Sequence, residues 1–334
     1  MAGKSDKYGN FFFVFGLIAI TFMAYKIGFK DIYANLLKTG IWFFVIMGVW
    51  LIVYLLNSVS FGLIIKDGSY ESKKIKISRI VKIVISGFAL NYITPFGLMG
   101  GEPYRIMELK SSLGIKKSTS TVILYTMMHI VSHLILWILS VLLIIVFVPN
   151  IGKGLSIVLW SIFIACTLLM FWAFKGYKKG MVFRLFKILA KQPIMKTKIK
   201  NYLIENESNL KEIDFYIADL FANRKLTFFL SLFFELMARM FSALEIYVIL
   251  FALNHNISYI YCVIILALSS LFSNLFFFMP LQAGAREGGF ALAFSSLSLL
   301  SPIGIYVSLS TRIRELFWIV LGVFIMKLKT QNSG

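Results

Sequence analysis

The chain has 334 residues, of which 59% are hydrophobic and 15% are charged, whereas soluble domains average about 45–50% apolar and about 25% charged residues. This composition excludes an ordinary soluble protein and favours a single helical bundle in a bilayer. The net charge of +19 is not accompanied by a nucleic-acid recognition module, so we expect no nucleic-acid partner.

Six stretches are long and apolar enough to cross a membrane, which takes about 20 residues. They are 11–27, 41–65, 119–148, 155–174, 226–253 and 303–326. The first lacks the small-residue cleavage site of a signal peptide, so we expect it to be a retained span. The prediction is an all-α polytopic membrane protein with one transmembrane domain over residues 1–334.

Two further apolar stretches, 80–93 and 257–279, are broken where a spanning helix would continue. The first is followed by Pro95 and the second by Pro280, and glycines follow each proline. Proline removes a backbone donor and glycine permits unusual backbone angles, so helices should break at both places.

The basic residues cluster in the loops 66–82 and 175–200, which the positive-inside rule places in the cytoplasm. With both loops inside, the termini are also cytoplasmic. Segment 80–117 then forms a re-entrant hairpin and its following helix, entering from the cytoplasm. Segment 257–301 forms a second hairpin, entering from the opposite face. The simpler alternative is that both segments are kinked spans.

The two predicted hairpins resemble each other in sequence. In each, a glutamate follows the helix-ending proline by seven residues, Glu102 after Pro95 and Glu287 after Pro280. Opposed hairpins of this kind are the pattern of an inverted repeat, with a binding site near the bilayer midplane.

The segment 175–225 is the most polar part of the chain. Its first part is basic and should be drawn to anionic lipid headgroups. Within it, 201–223 has apolar residues at helical spacing and predicts an amphipathic helix at the cytoplasmic surface or packed on the bundle. The segment is too small for a catalytic domain.

Charged residues of both signs lie inside the apolar segments. A charge near the bilayer centre costs roughly 2.5–3.5 kcal/mol, so such residues usually face a cavity or a partner. The helical rise of about 1.5 Å per residue puts several of them at one depth. The predicted site comprises Asn91, Pro95, Gly100, Gly101, Glu102, Arg105, His129, Glu235, Arg239, Arg286, Glu287, Arg312 and Arg314.

The forked N–H donors of arginine side chains and the free backbone N–H groups at the starts of half-helices can bind a phosphate-bearing or carboxylate headgroup. The sequence therefore predicts a cavity that binds membrane lipids with anionic headgroups. The alternative is that the charges form structural pairs that lock helices together: Arg239–Glu235, Arg286–Glu287 and Arg314–Glu315.

His129 and His133 lie four residues apart on one helix face, a spacing that could suit a metal. The glutamate that would follow the first histidine in a zinc-enzyme motif is missing, so we expect no metal. A cavity wall or a proton relay fits His129 better. No cofactor is expected, because no phosphate-binding loop or dinucleotide fingerprint occurs in a suitable context.

The stretch 91–103, followed by Arg105 and Leu109, resembles the first signature of the lysylphosphatidylglycerol synthase transmembrane, flippase-like family. The stretch 279–290 is similar to that family's second signature, a proline–glycine turn leading to a glutamate. Here the usual Pro-Gly-Gly turn is replaced by residues 281–284, Leu-Gln-Ala-Gly.

The resemblance implies an inner-membrane protein that handles lipids, in some members by moving aminoacylated phosphatidylglycerol or polyprenyl-linked sugars between leaflets. Full-length lysyl-lipid synthases also carry a soluble domain that uses aminoacyl-tRNA. This sequence ends at Gly334, just after its last predicted span, so we expect that domain to be absent and lysyl transfer by this polypeptide alone not to occur.

Three functional hypotheses follow. The first is a lipid flippase-like transporter with the headgroup in a midplane cavity. The second is a membrane-embedded lipid-phosphate transferase with Glu102 or His129 as base. The third is an accessory subunit with a lipid-modifying enzyme as partner. Opposed hairpins favour the transporter, because an enzyme needs access from one face alone.

Overall fold

The computed structural model describes residues 28–94, 100–148, 152–179, 196–276 and 284–327, together with a few isolated positions (21, 25, 183, 184, 187, 188, 190 and 282). Twelve α-helices and no strands occupy this part of the chain. They are α1 Phe29–Thr39, α2 Trp42–Ile65, α3 Tyr70–Lys73, α4 Ile77–Ile93, α5 Gly101–Leu113, α6 Ile115–Phe147, α7 Lys153–Lys179, α8 Lys196–Ala222, α9 Lys225–Ala252, α10 Tyr259–Leu275, α11 Ala285–Ser296 and α12 Ser301–Lys327.

Three of the described helices are long and apolar enough to cross a membrane: α2, α6 and the 21-residue stretch Ser156–Gly176 of α7. Helices α9 and α12 have similar lengths, 28 and 27 residues, but they carry several buried charges. This architecture confirms the predicted all-α polytopic membrane protein. The predicted span 11–27 lies outside the described residues, apart from two isolated positions.

Helices α2 and α9 pack against each other along their length and run antiparallel. The rings of Trp42 and Phe251 meet edge to face at one end, with centroids 4.9 Å apart. The hydroxyls of Ser60 and Ser231 hydrogen-bond at 2.8 Å toward the other end. Small polar residues at such a crossing let two membrane helices approach closely, so this pair forms the centre of the bundle.

Helices α4 and α5 form an antiparallel pair. At its open end, Arg79 at the start of α4 donates to the hydroxyl of Ser112 near the end of α5, at 2.8 Å. At the closed end, the amide of Gly101 donates to Oδ1 of Asn91 at 2.7 Å. The two helices are thus tied together at both ends, while the turn at 95–99, including the predicted break at Pro95, lies outside the described residues.

Helices α10 and α11 form a second pair. A Cβ at Gly289 of α11 would lie 3.1 Å from the carbonyl oxygen of Ser269 on α10, so glycine allows the close approach. The N-terminus of α11 begins at Gly284 with φ of 79°, and the Glu287 carboxylate accepts its amide hydrogen at 2.8 Å. The predicted break at Pro280 lies outside the described residues.

Helix α12 packs on both helix pairs. Its Gly322 lies against Ile85 and Ala89 of α4, and its carbonyl accepts a hydrogen bond from Ser86 at 2.9 Å. On the other pair, a Cβ at Gly304 would lie 2.8 Å from the carbonyl oxygen of Phe290 on α11. Helix α12 therefore holds the two pairs in one bundle.

Helix α8 covers the predicted amphipathic segment and packs on the bundle. Its apolar side chains Ile213, Ile217 and Leu220 belong to the same core cluster as residues of α6. Its polar face meets the start of α6 through an ion pair of 2.6 Å between Lys116 and Glu212. The helix is therefore part of the fold and not a freely extended surface arm.

The loop after α2 is fixed by Asp67, which pairs with Lys117 at the start of α6 and accepts hydrogen bonds from Ser69. Burial by itself would raise the pKa of this carboxyl, but the hydrogen bonds from Lys117 and Ser69 outweigh it, so the pKa lies well below its ordinary value. Asp67 therefore stays ionised and closes this end of the bundle.

Candidate functional site

A cavity of about 260 Å³ lies between the two helix pairs and is walled by α2, α4, α5, α6 and α9 to α12. Residues of both helix pairs reach it. The predicted site residues that line it are Asn91, Glu102, Arg105, His129, Arg239, Arg286, Arg312 and Arg314. The structure thus gathers polar and charged side chains from six helices around one cavity.

The first charged group in the cavity wall is Arg105 of α5, which is 2% exposed. Its Nη1 donates to Oε1 of Glu102 at 2.9 Å. Its guanidinium lies over the rings of Phe88 and Tyr125, at 5.1 and 5.3 Å from their centroids. Its Nε and Nη2 are buried and have no hydrogen-bond partner among the described residues. Burying such donors unpaired is costly, so this arginine is prepared for a ligand.

Glycine creates the space in which Arg105 lies. A Cβ on Gly87 of α4 would come 2.5 Å from Nε of Arg105 and 2.8 Å from Cζ, closer than real atoms approach. The guanidinium therefore lies directly against the backbone of α4. Gly101 has a similar role beside it, since a Cβ there would overlap the carbonyl oxygen of Gly87 and the side chain of Asn91.

A second group joins α6 and α9 around His129. Nδ1 of His129 lies 2.9 Å from Oε2 of Glu235, and Nε2 lies 2.7 Å from Nη2 of Arg239. Arg239 also donates from Nε to the hydroxyl of Ser132 at 3.3 Å. Glu235 is fully buried behind the histidine and does not line the cavity, whereas Arg239 and His129 do.

The third group is a chain of charges around Arg314. Its Nε and Nη2 donate to the two carboxylate oxygens of Glu245 on α9, at 2.8 and 2.9 Å. The guanidinium stacks 3.5 Å from the ring centroid of Trp50, whose Nε1 donates to the same carboxylate at 2.7 Å. Beyond it, Glu315 accepts from Arg286 at 2.5 Å. Arg314 is therefore largely neutralised, in contrast to Arg105.

The fourth group ties the start of α11 to α12. Arg312 pairs with Glu287 at 2.6 Å and donates to the carbonyl oxygen of Gln282 at 3.1 Å. Because the Glu287 carboxylate also caps Gly284, this ion pair fixes the entry to α11. Glu287 itself does not line the cavity, but Arg312 does.

The structural alternative considered three pairs, Arg239–Glu235, Arg286–Glu287 and Arg314–Glu315, and the contacts agree with it only in part. His129 lies between Glu235 and Arg239 and contacts both. Arg286 pairs with Glu315 and not with its neighbour Glu287. Arg314 makes its close contacts with Glu245 and lies 3.7 Å from Glu315. The closest contacts of Arg286 and Arg314 therefore connect different helices, because neighbouring residues on a helix point in different directions.

Several cavity residues were not singled out from the sequence. Glu245 is the main one, since its carboxylate pairs with Arg314. The available sequence signal was an acidic residue inside the apolar stretch 226–253. The others are uncharged polar or aromatic residues whose types are common in membrane helices. They include Asn57, Tyr125, Thr126, Ser269, Ser270, Ser273, Asn274 and Thr311.

Of the remaining predicted site residues, Gly100 and Gly101 shape the closed end of the first helix pair without lining the cavity. Pro95 lies outside the described residues. His133 lines the cavity beside His129, with ring centroids 5.5 Å apart. Within the described ranges, no group of three or more His, Cys, Asp or Glu side chains could hold a metal.

The family model described as "Lysylphosphatidylglycerol synthase TM region" matches residues 11–322. The chain belongs to this family. Both stretches that resemble the family's signatures, 91–103 and 279–290, fall within the match, and so does the whole cavity. No curated protein and no solved structure matches the chain. Membership identifies a membrane protein of a family concerned with lipid modification or transport.

Proposed function

We propose that the chain is a lipid flippase-like transporter of the inner membrane. It moves a lipid with an anionic or phosphate-bearing headgroup, a phospholipid or a polyprenyl-linked lipid, between the two leaflets. The headgroup occupies the cavity and the acyl or prenyl tails stay in the bilayer. The predicted site residues that line the cavity bind the headgroup, except Arg314, whose carboxylate partner is already Glu245. Arg314 and the residues behind the wall hold the others in position.

The observation that carries this proposal is the unequal neutralisation of the buried arginines. Arg314 has both carboxylate oxygens of Glu245 and one unpartnered nitrogen within the described residues. Arg105 has a single carboxylate oxygen and two unpartnered nitrogens there. A phosphate can accept two parallel hydrogen bonds from such a fork. Arg286 of the second helix pair and Arg312 of α12 line the same cavity, so an anion there has cationic partners on both sides.

The packing of the helices supports an inverted repeat. The pairs α4–α5 and α10–α11 correspond, as do α2 with α9 and α6 with α12. Three contacts then have counterparts. The contact of α5 with α6 corresponds to that of α11 with α12, and the contact of α2 with α4 corresponds to that of α9 with α10. The contact of α4 with α12 corresponds to that of α10 with α6. In transporters, such repeats allow one half to rock against the other around a central site. We take the two pairs as opposed re-entrant hairpins.

The proposed topology places the basic loops and both termini in the cytoplasm. Single cysteines at positions 74, 116 and 198 should therefore be shielded from an impermeant maleimide added to intact spheroplasts, whereas cysteines at Asn256 and Ser301 should react. The native Cys166 and Cys262 are buried and serve as the unlabelled background. Labelling of position 116 but not 256 would contradict the opposed hairpins.

Transport is the direct test of the site. In liposomes containing a fluorescent phosphatidylglycerol analogue, Arg105→Gln and Glu102→Gln should lose most lipid movement, because each removes a cavity contact. Arg105→Lys should also be impaired, since an ammonium lacks the planar fork. Dithionite quenching of the outer-leaflet fluorophore measures the movement. The matched control is Lys110→Gln, an exposed cation on the same helix, which should behave like the native chain.

Three outcomes would contradict the proposal. If both Arg105 and Glu102 variants fail to accumulate as folded protein while Lys110→Gln accumulates, the pair is a structural lock. If the native chain moves no lipid but a lipid product of altered mass appears, the transferase is the better account. Activity that requires a co-purified enzyme would identify an accessory subunit.

A further inference from the structure

The contacts of His129 determine which of its nitrogens carries hydrogen. A guanidinium has donors but no acceptor, so Nη2 of Arg239 must donate to Nε2 of His129, at 2.7 Å. Nε2 therefore carries a lone pair, and in a neutral ring the hydrogen lies on Nδ1. That hydrogen is donated to Oε2 of Glu235, at 2.9 Å. His129 is thus held as the neutral Nδ1–H tautomer.

This arrangement cannot take up a proton on the ring without breaking a contact. A proton from water that binds Nε2 converts His129 into an imidazolium, which pairs with the Glu235 carboxylate through Nδ1–H. The new Nε2–H then faces Nη2–H of Arg239, and two donors cannot hydrogen-bond to each other. Arg239 must turn away, and the cavity that it lines is the space available to it.

We propose that Glu235 and His129 together form a proton-binding site, and that proton binding releases Arg239 to bind the anionic headgroup. The inference rests on the proposed function and adds a co-transported ion to it. Glu235 suits this role because it is fully buried and the groups that hydrogen-bond to its carboxylate within the described residues, His129 and Ser60, are uncharged. Its Oε2 contacts the neutral ring of His129 and not a lysine or arginine.

Groups from four helices surround this site. Arg239 lies on α9 with Glu235, Arg105 faces them from α5, Tyr125 and His133 from α6, and Ser60 from α2. The two guanidinium groups oppose a positive charge on His129. An anion bound beside them offsets that repulsion, so the anion favours proton binding. Because coupling between two ligands is reciprocal, the proton favours anion binding to the same extent.

The direction in which pH changes anion affinity follows from the charge that the proton adds. Adding a proton makes the cavity wall more positive by one charge, so affinity for an anion rises as the pH falls. One coupled proton gives at most about a tenfold change in affinity per pH unit. The effect should appear in the acidic range, because burial and the guanidinium groups of Arg105 and Arg239 oppose a positive charge on His129.

The test measures binding of a short-chain phosphatidylglycerol to the full chain in phosphatidylcholine nanodiscs across that pH range. In the native chain, the dissociation constant should fall with falling pH. Glu235→Gln still accepts from Nδ1 of His129 but carries no charge. His129→Gln can accept from Arg239 and donate to Glu235 but cannot be protonated. Both variants should bind the probe with little pH dependence.

A control and a spectroscopic measurement separate this role from a structural one. The chain has three histidines, so ¹⁵N-histidine NMR can resolve each ring, with His129→Gln giving the assignment. Without probe at neutral pH, His129 should be the Nδ1–H tautomer. His255→Gln, in the exposed turn after α9, should keep the full pH dependence of probe binding.

The outcomes distinguish this inference from the proposed function. Probe affinity that is independent of pH in the native chain overturns the proton site and leaves the headgroup site standing. If the probe does not bind at any pH, the headgroup assignment fails, and NMR then decides: loss of proton uptake by His129 in Glu235→Gln supports the site. An Nε2–H tautomer or an imidazolium at neutral pH in the probe-free native chain overturns it, even if the variants fail to fold.

Discussion

Replacing Arg314 with methionine is expected to lower the free energy of unfolding by about 3–5 kcal/mol, the typical cost of removing one partner of a buried ion pair. Arg314 and Glu245 are 1% and 3% exposed. The change leaves the Glu245 carboxylate buried with Trp50 as its remaining hydrogen-bond donor among the described residues. Thermal unfolding in detergent, followed by size exclusion, measures the loss.

The double variant Glu245→Leu with Arg314→Met should recover part of this stability, because no buried charge is left without its partner. The matched control is Lys211→Met, which breaks the exposed Glu207–Lys211 pair on α8; a surface pair contributes at most about 1 kcal/mol. An Arg314→Met variant as stable as the native chain would show that Arg314 is not a structural lock.

Replacing Gly87 with alanine is expected to reduce lipid movement about ten- to hundredfold while the protein stays folded. The new Cβ overlaps the guanidinium of Arg105, and a flexible arginine can move aside without disturbing the helices. It then leaves its place over Phe88 and Tyr125. The magnitude corresponds to losing one charge-assisted contact to the headgroup, about 1.5–3 kcal/mol. The liposome assay measures it.

Gly48→Ala is the matched control, because a Cβ at that exposed position on α2 meets nothing within 4 Å. Alanine is the better helix former by about 1 kcal/mol, so this variant should be active and at least as stable. Full transport by Gly87→Ala would mean that the position of the Arg105 guanidinium does not matter. Loss of folded protein would instead point to a packing role for Gly87.

These two predictions separate the arginines by role. Arg314 contacts Trp50, Glu245 and Glu315 on three sides, so its removal should lower the free energy of unfolding. Arg105 pairs with one carboxylate and has hydrogen-bond donors without a partner, so its displacement should reduce the rate of lipid movement. The distinction depends on partners from other helices, which the sequence does not reveal.

The class of protein and the position of the candidate cavity could be predicted from the sequence, because both depend on local physical constraints. Bilayer thickness sets the length of a spanning apolar helix, so the spans over α2, α6 and α7 could be predicted. Charges inside apolar runs have to face a cavity or a partner, which is why Arg105, His129 and Arg312 were singled out. The two stretches that resemble the family's signatures could also be recognised from their residues alone.

The pairing of the charges was decided by the tertiary structure. Arg286 reaches Glu315 on α12 and passes over its own neighbour Glu287, and Glu245 proves to be the partner of Arg314. Which side chains meet depends on how each helix is rotated and how closely it packs. Those quantities are set by contacts such as Gly87 against Arg105, between residues far apart in the chain. A sequence fixes the spacing of charges along each helix, whereas their partners depend on the arrangement of all the helices together.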